Sequence, residues 1–273
     1  MKKIIVLTDF SEQSEYALKA AVDLAKKHDV ELFVVHMLEL NQAILPSTDG
    51  IYIEQTVFMV KLAEKNLNEF LKKPYLEGVK VTPVIKHYKV YSELDAIAKE
   101  HDADLIVMGS NGASGFEELV IGSNAEKVVR NATVPVLVIK GKVENLNIER
   151  FVFACDFNDD NLPAFQKASE FAKLLKASME VVFINTPNDD FLSNRNAYQK
   201  INKFLTKANS AQQVEIYNDY SVEQGIINYG NTILADAIAI PTHGRKGISH
   251  FFNGSVGEDV VNHARIPVIT FKI

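Results

Sequence analysis

Four residues in the middle of the chain are spaced to hold a phosphate. In MGSNGASGFEELVIGSNAEKV, residues 108 to 128, Gly109, Gly112, Gly122 and Ser123 follow the pattern G-x2-G-x9-G-S. Glycines let the backbone approach a ligand closely and adopt positive φ. A helix opening at Gly122-Ser123 would aim its first N–H groups and the positive end of its dipole at an anion. The Ser123 hydroxyl would add a donor, and the Asn124 side-chain amide another. Singly, these residues could equally make turns and cap a helix; together, after a strand and before a helix, they favour phosphate binding.

The loop occurs twice. In PTHGRKGISHFFNGSVGEDV, residues 241 to 260, Gly244, Gly254 and Ser255 keep the spacing, but Pro241 replaces the leading glycine. Proline lacks the backbone N–H and holds φ near about −65°, and its ring would crowd an approaching ligand. The charges differ as well. Between Gly109 and Asn124 there is no Lys or Arg, only Glu117 and Glu118, whereas the second loop carries His243, Arg245, Lys246 and His250. If Glu117 and Glu118 face the site they repel a phosphate ligand, so binding would require a divalent cation or favour a less charged ligand. A phosphate ligand is therefore expected in the first copy, and a solvated basic face or an acidic partner at the second.

Other chemistry finds little support. The G-x4-G-K-[ST] phosphate loop and the G-x-S-x-G nucleophile elbow do not occur. His243 and His250 lack the spacing or the Cys partners of a zinc site. Cys155, the single cysteine, has no disulfide partner within the chain and fits a reducing cytosol. A slow ATP hydrolase would need a water-positioning carboxylate, and neither Glu117 nor Glu118 can be assigned to that work.

The elements that must position the loops repeat too. IIVLTDFS (4 to 11) matches FVFACDFN (151 to 158), placing Asp9 opposite Asp156; ELFVVHM (31 to 37) matches EVVFINT (180 to 186), and VPVLVI (134 to 139) matches IPVITF (266 to 271). The offset falls from 147 residues at Asp9 to 132 at Gly122, so the first half carries about 15 extra residues, near 41 to 60. Val- and Ile-rich runs predict strands at 4–7, 32–36, 81–85, 105–108 and 134–139, buried on both faces. Between them lie helical patterns, the first N-capped by Ser11 with Ala17, Ala20, Ala21, Leu24 and Ala25 as one stripe, the others near 54–72, 92–100 and 122–131. The second half predicts strands near 151–155, 180–184, 214–217, 235–240 and 266–271, and helices near 162–176, 194–208, 222–229 and 255–264. The outcome is two α/β modules, 1–141 and 148–273, each a doubly wound, mostly parallel five-stranded sheet, joined by the polar linker GKVENLNI. Ligands of such sheets sit at the carboxyl ends of the strands, where the strand order reverses.

Composition agrees: 273 residues suit two domains, and 47% apolar residues with 23% charged is ordinary for a globular chain. A net charge of −6 argues against nucleic-acid or anionic-membrane partners. With no secretory cleavage site and no run long enough to span a membrane, a cytoplasmic protein is expected.

VLTDFS (6 to 11), His36-Met37, LIVMGSNG (105 to 112), IGSNAEKVVRNATVPVLVI (121 to 139) and THGRKGISHFFNGSVGEDVVNHARIPVI in the second copy together resemble the universal stress protein (UspA-like) family, in its tandem two-domain form. The resemblance covers nearly the whole chain and implies a Rossmann-like, adenine nucleotide α-hydrolase-like fold. It further implies ATP bound at the glycine motif, with or without Mg²⁺, and domains paired through their last strands. Carried over residue by residue, Asp9 would accept from the ribose and Met37 would pass near the base, while Gly109, Gly112, Gly122, Ser123 and Asn124 would surround ribose and phosphates. Capping of the first helix is an equal alternative for Asp9, and core packing is the stronger reading for Met37. Since both last strands lie in one chain, they would pair internally as a pseudo-dimer, with a further homodimer left open. Three functions follow: a nucleotide-binding stress protein acting through its interactions rather than turnover, a nucleotide-free interaction scaffold, and a slow ATP hydrolase.

Overall fold

In a computed structural model, residues 1–38, 50–87, 94–110, 122–187, 191–242 and 256–273 are described. The first half runs β1 (Lys3–Thr8), α1 (Glu12–His28), β2 (Glu31–Leu38), α2 (Gly50–Phe70), β3 (Val81–His87), α3 (Leu94–Glu100), β4 (Leu105–Gly109), α4 (Ser123–Asn131) and β5 (Val136–Ile139). The second repeats the order as β6 (Arg150–Ala154), α5 (Leu162–Leu175), β7 (Ser178–Asn185), α6 (Asn194–Lys207), β8 (Val214–Asn218), α7 (Val222–Thr232), β9 (Ala237–Thr242), α8 (Val256–His263) and β10 (Val268–Lys272). Both last strands begin two residues later than their apolar runs suggest. Pro135 and Pro267 have no N–H to give the ladder and contribute only carbonyls, to Ile106 N and Ile238 N. The excess length of the first half includes seven residues of helix, since α2 has 21 residues and α6 has 14.

All ten strands form one sheet, ordered β3-β2-β1-β4-β5-β10-β9-β6-β7-β8. Every neighbouring pair is parallel except β5 and β10, which run antiparallel with Leu137 opposite Ile269. The strand order reverses between β1 and β4 in the first half and between β6 and β9 in the second. Alternation of side chains along buried strands divides the core into two layers. Ile4, Val6, Leu137 and Ile269 face α1, α2, α5 and α6; Ile5, Val138, Val152 and Val268 face α3, α4, α7 and α8. Each layer runs across the β5–β10 seam. Under α5 it is filled by Phe153, Phe165, Phe171 and Phe271 in edge-to-face contacts, under α1 by alanines.

Two aspartates do repeated work that the sequence did not advertise. Asp104, just before β4, accepts from the backbone N–H groups of Lys2 and Lys3, and Asp236, just before β9, accepts from those of Glu149 and Arg150. Each ties down the entry to its module's first strand. The linker is also less polar in effect than its composition suggests: Leu146 and Ile148 are 5% and 1% exposed within the core, and Leu146 N donates to Asp23 of α1. Burial of two aliphatic side chains anchors the connection between the modules.

Candidate functional site at the β1–β4 switch point

The chain leaves β1 through a tight turn into α1. Phe10 sits at φ 67°, a left-handed conformation unusual for a bulky residue, and four interactions hold the turn there. Phe10 N donates to Thr8 Oγ1 at 3.0 Å; Ser11 N and Oγ donate to Asp9 Oδ1 at 3.1 and 2.5 Å; the ring stacks on His36 with centroids 4.3 Å apart. Ser11 in turn caps α1 by accepting from Ser14 N. His36 Nδ1 lies 2.9 Å from Thr8 O, and since a carbonyl only accepts, Nδ1 carries the proton. Asp9 thus works in the cap while its carboxylate is exposed at the sheet's rim. Met37 follows His36 in β2, half-buried and packed against the α3/α4 layer.

Beside it, the pairing of β1 with β4 ends at Val6 and Val107, so Asp9 and Ser110 each stand three residues beyond that pair. Gly109 has a packing duty here. A Cβ added to it would lie 2.8 Å from the carbonyl oxygen of Gln13 and 2.9 Å from its carbon, so only glycine lets the first turn of α1 rest on the end of β4. Ser110 is buried; its N donates to Ile139 O, and its O accepts from Gly122 N at 2.8 Å. The chain that departs at Ser110 therefore returns to the same point at Gly122.

That bond spends the Gly122 N–H within the protein, so Gly122 itself is not a donor to a ligand at the start of α4. Gly122 is the N-cap of α4, at φ −62° and ψ 147°, and supplies no side-chain cap. By contrast, Ser11, Ser193 and Ser221 cap α1, α6 and α7 through their hydroxyls. Ser123 and Asn124 are exposed. Gly112, Glu117 and Glu118 fall outside the described residues. The arrangement can hold an anion at the start of α4 and a hydroxylated group near Asp9. Thr8, Phe10, Ser14 and Ser110 shape it without having been singled out from sequence, and so does His36, which the sequence marked only as part of the family resemblance. The repeated Asp-Phe dipeptide was the available signal, since Phe157 repeats the left-handed φ at 57°.

The equivalent place in the second half is built differently. Asp156 is 4% exposed and accepts from Asn158 N, Asn158 Nδ2 and Asn161 Nδ2. The chain enters α5 through a 3-10 turn at Asp159–Asn161, and Cys155 takes the place of Thr8. Burial pushes the Cys155 thiol well above its ordinary range. Pro241 lies buried inside β9, opposite Phe271; Gly244, Gly254 and Ser255 are outside the described residues. Among the described residues no group of three or more His, Cys, Asp or Glu could hold a metal ion, and no helix is long and apolar enough to cross a membrane.

The sequence profile of the universal stress protein family matches this chain twice, over residues 1–140 and 147–272. The chain belongs to the universal stress protein family. Among its relatives, universal stress protein MJ0531 of Methanocaldococcus jannaschii is 32% identical over 139 residues, 51% of this chain and 82% of that protein. Universal stress protein Slr1230 of Synechocystis is 24% identical and aligns over the full length of both chains. The tandem arrangement is thus present in a relative. A universal stress protein from Archaeoglobus fulgidus, of known crystal structure, shares the fold with TM-score 0.67 at 23% identity, over 99% of this chain and 96% of its own. A universal stress protein fold is therefore present twice, in two modules of one sheet.

Proposed function

We propose that this universal stress protein binds one adenine nucleotide, ATP with or without Mg²⁺, in the module formed by residues 1–141, and that residues 148–273 form a partner module with a degenerate site. The observation that carries the reading is the convergence of β1 and β4 at a switch point, beside which α4 opens on a glycine N-cap. Phosphate binds at the start of α4, at Ser123 and Asn124, the loop from Gly109 through Gly112 wraps the nucleotide, Asp9 accepts from ribose hydroxyls, and Met37 borders the base. In the second module Asp156 is consumed by Asn158 and Asn161, and Pro241 stands where the first glycine should be. Nucleotide occupancy then changes the interactions of a cytoplasmic stress protein rather than driving turnover. Mass spectrometry of the purified, undenatured chain tests this directly. One ATP per chain supports it; no adenine nucleotide, even after incubation with ATP and Mg²⁺, rejects it in favour of a nucleotide-free scaffold.

A further inference from the structure

The two modules grip each other by the helices that follow their glycine loops. Lys140, one residue past β5, donates from Nζ to the carbonyls of Val261 and Asn262 in the last turn of α8. Lys272, at the end of β10 and 132 residues further on, donates to the carbonyl of Asn131, the last residue of α4, at 2.8 Å. The repeat offset makes these the same lysine, crossing the β5–β10 seam in both directions. Thr242 Oγ1 adds a contact to α4 itself, 3.5 Å from Val129 O, and Lys167 of α5 donates just beyond the helix, to Thr133 O at 3.4 Å, and to Lys272 O at 3.0 Å. Thr242 ends β9, next to Pro241, where the second module's own ligand site should be.

A cation on the final carbonyls of a helix offsets the negative end of its dipole and fixes the last turn, and the opposite end of α4 is the proposed phosphate site. We infer that Lys272 is a positioning residue for that site: the second module, having given up its own nucleotide, holds α4 from behind and sets the first module's affinity. The inference rests on the nucleotide reading above.

The test compares K272M, K272R and K140M in the full chain by calorimetric titration with ATP and Mg²⁺, alongside thermal unfolding. K272M and K140M each remove a cross-seam lysine, so both lower the unfolding temperature. Only K272M weakens ATP, by about two- to fivefold, the range for a cation at a helix C-terminus, and K272R restores most of it. Hydrogen exchange at 128–132 in the nucleotide-free protein speeds up in K272M and not in K140M. K272M binding ATP as tightly as wild type overturns this inference alone, as does equal weakening by K140M, which would mark a general loss of stability. A wild-type chain that binds no ATP overturns the nucleotide reading and this inference with it.

Discussion

Replacing Gly109 with Ala puts the packing argument at risk where it is sharpest. The added methyl would lie 2.8 Å from Gln13 O, 2.9 Å from Gln13 C and 3.0 Å from Gln13 Cβ, against an ordinary contact of 3.4 Å or more. Two of these three atoms belong to the backbone of the first turn of α1, which is fixed by the Ser11 cap and by the pairing of Thr8 with Ser14. Relief therefore requires α1 to shift as a unit, and overpacking of this kind costs about 1–3 kcal/mol. For a chain of this size that corresponds to a fall in unfolding temperature of roughly 2–10 °C. Gly141→Ala is the control: nothing lies within 4 Å of its added carbon and its φ is not positive, so it is neutral or stabilises by up to about 1 kcal/mol. Differential scanning calorimetry of the ligand-free proteins reads both. If G109A unfolds at the wild-type temperature, the close approach of α1 to β4 is not a constraint. If it then also fails to bind ATP, Gly109 serves the ligand instead of the packing.

Two further outcomes follow from burial. Lys140 is held down to about 8 by burial, against about 10.5 in the unfolded chain. The folded state therefore binds fewer protons between these values, and wild-type stability rises with pH over that window relative to K140M. The slope stays below the about 1.4 kcal/mol per pH unit of a full proton because the ammonium keeps some water; parallel denaturation curves for the two proteins from pH 7.5 to 10 would refute it. Cys155 is fully buried with its thiol pushed well above the usual range, so a thiol reagent at pH 8 labels it only as fast as the chain unfolds. Immediate labelling of the native protein would show that this part of the second core is open.

Much of the architecture was legible because its signals are strong and doubled. Val- and Ile-rich runs flanked by helical stripes repeat in the same order in both halves, and a strand buried on both faces leaves little choice of element. The glycine loop marked the switch point for the same reason. Division of labour within the site was not legible. Gly109 could be seen as a place for a ligand to approach, but its contact with Gln13 depends on how α1 lies across β4. Likewise Gly122 spends its N–H on Ser110, a bond between residues twelve apart that spacing cannot reveal. The left-handed turn at Phe10 needs Thr8 and the ring of His36, which come together only when β1 and β2 pair. Asp104 and Asp236 find their backbone partners only once the strands they tie are in place. In the linker, Leu146 and Ile148 were outnumbered by polar neighbours, and burial selected them regardless.

The central claim is that two copies of one loop leave a single nucleotide site, in the first module, and the stoichiometry of ATP binding measures it. Isothermal titration of the nucleotide-stripped chain with ATP and Mg²⁺ should give one site per chain, abolished by Gly122→Val, whose side chain crowds the start of α4, and unchanged by Asp156→Asn. Two sites per chain would contradict the account, as would one site that survives Gly122→Val.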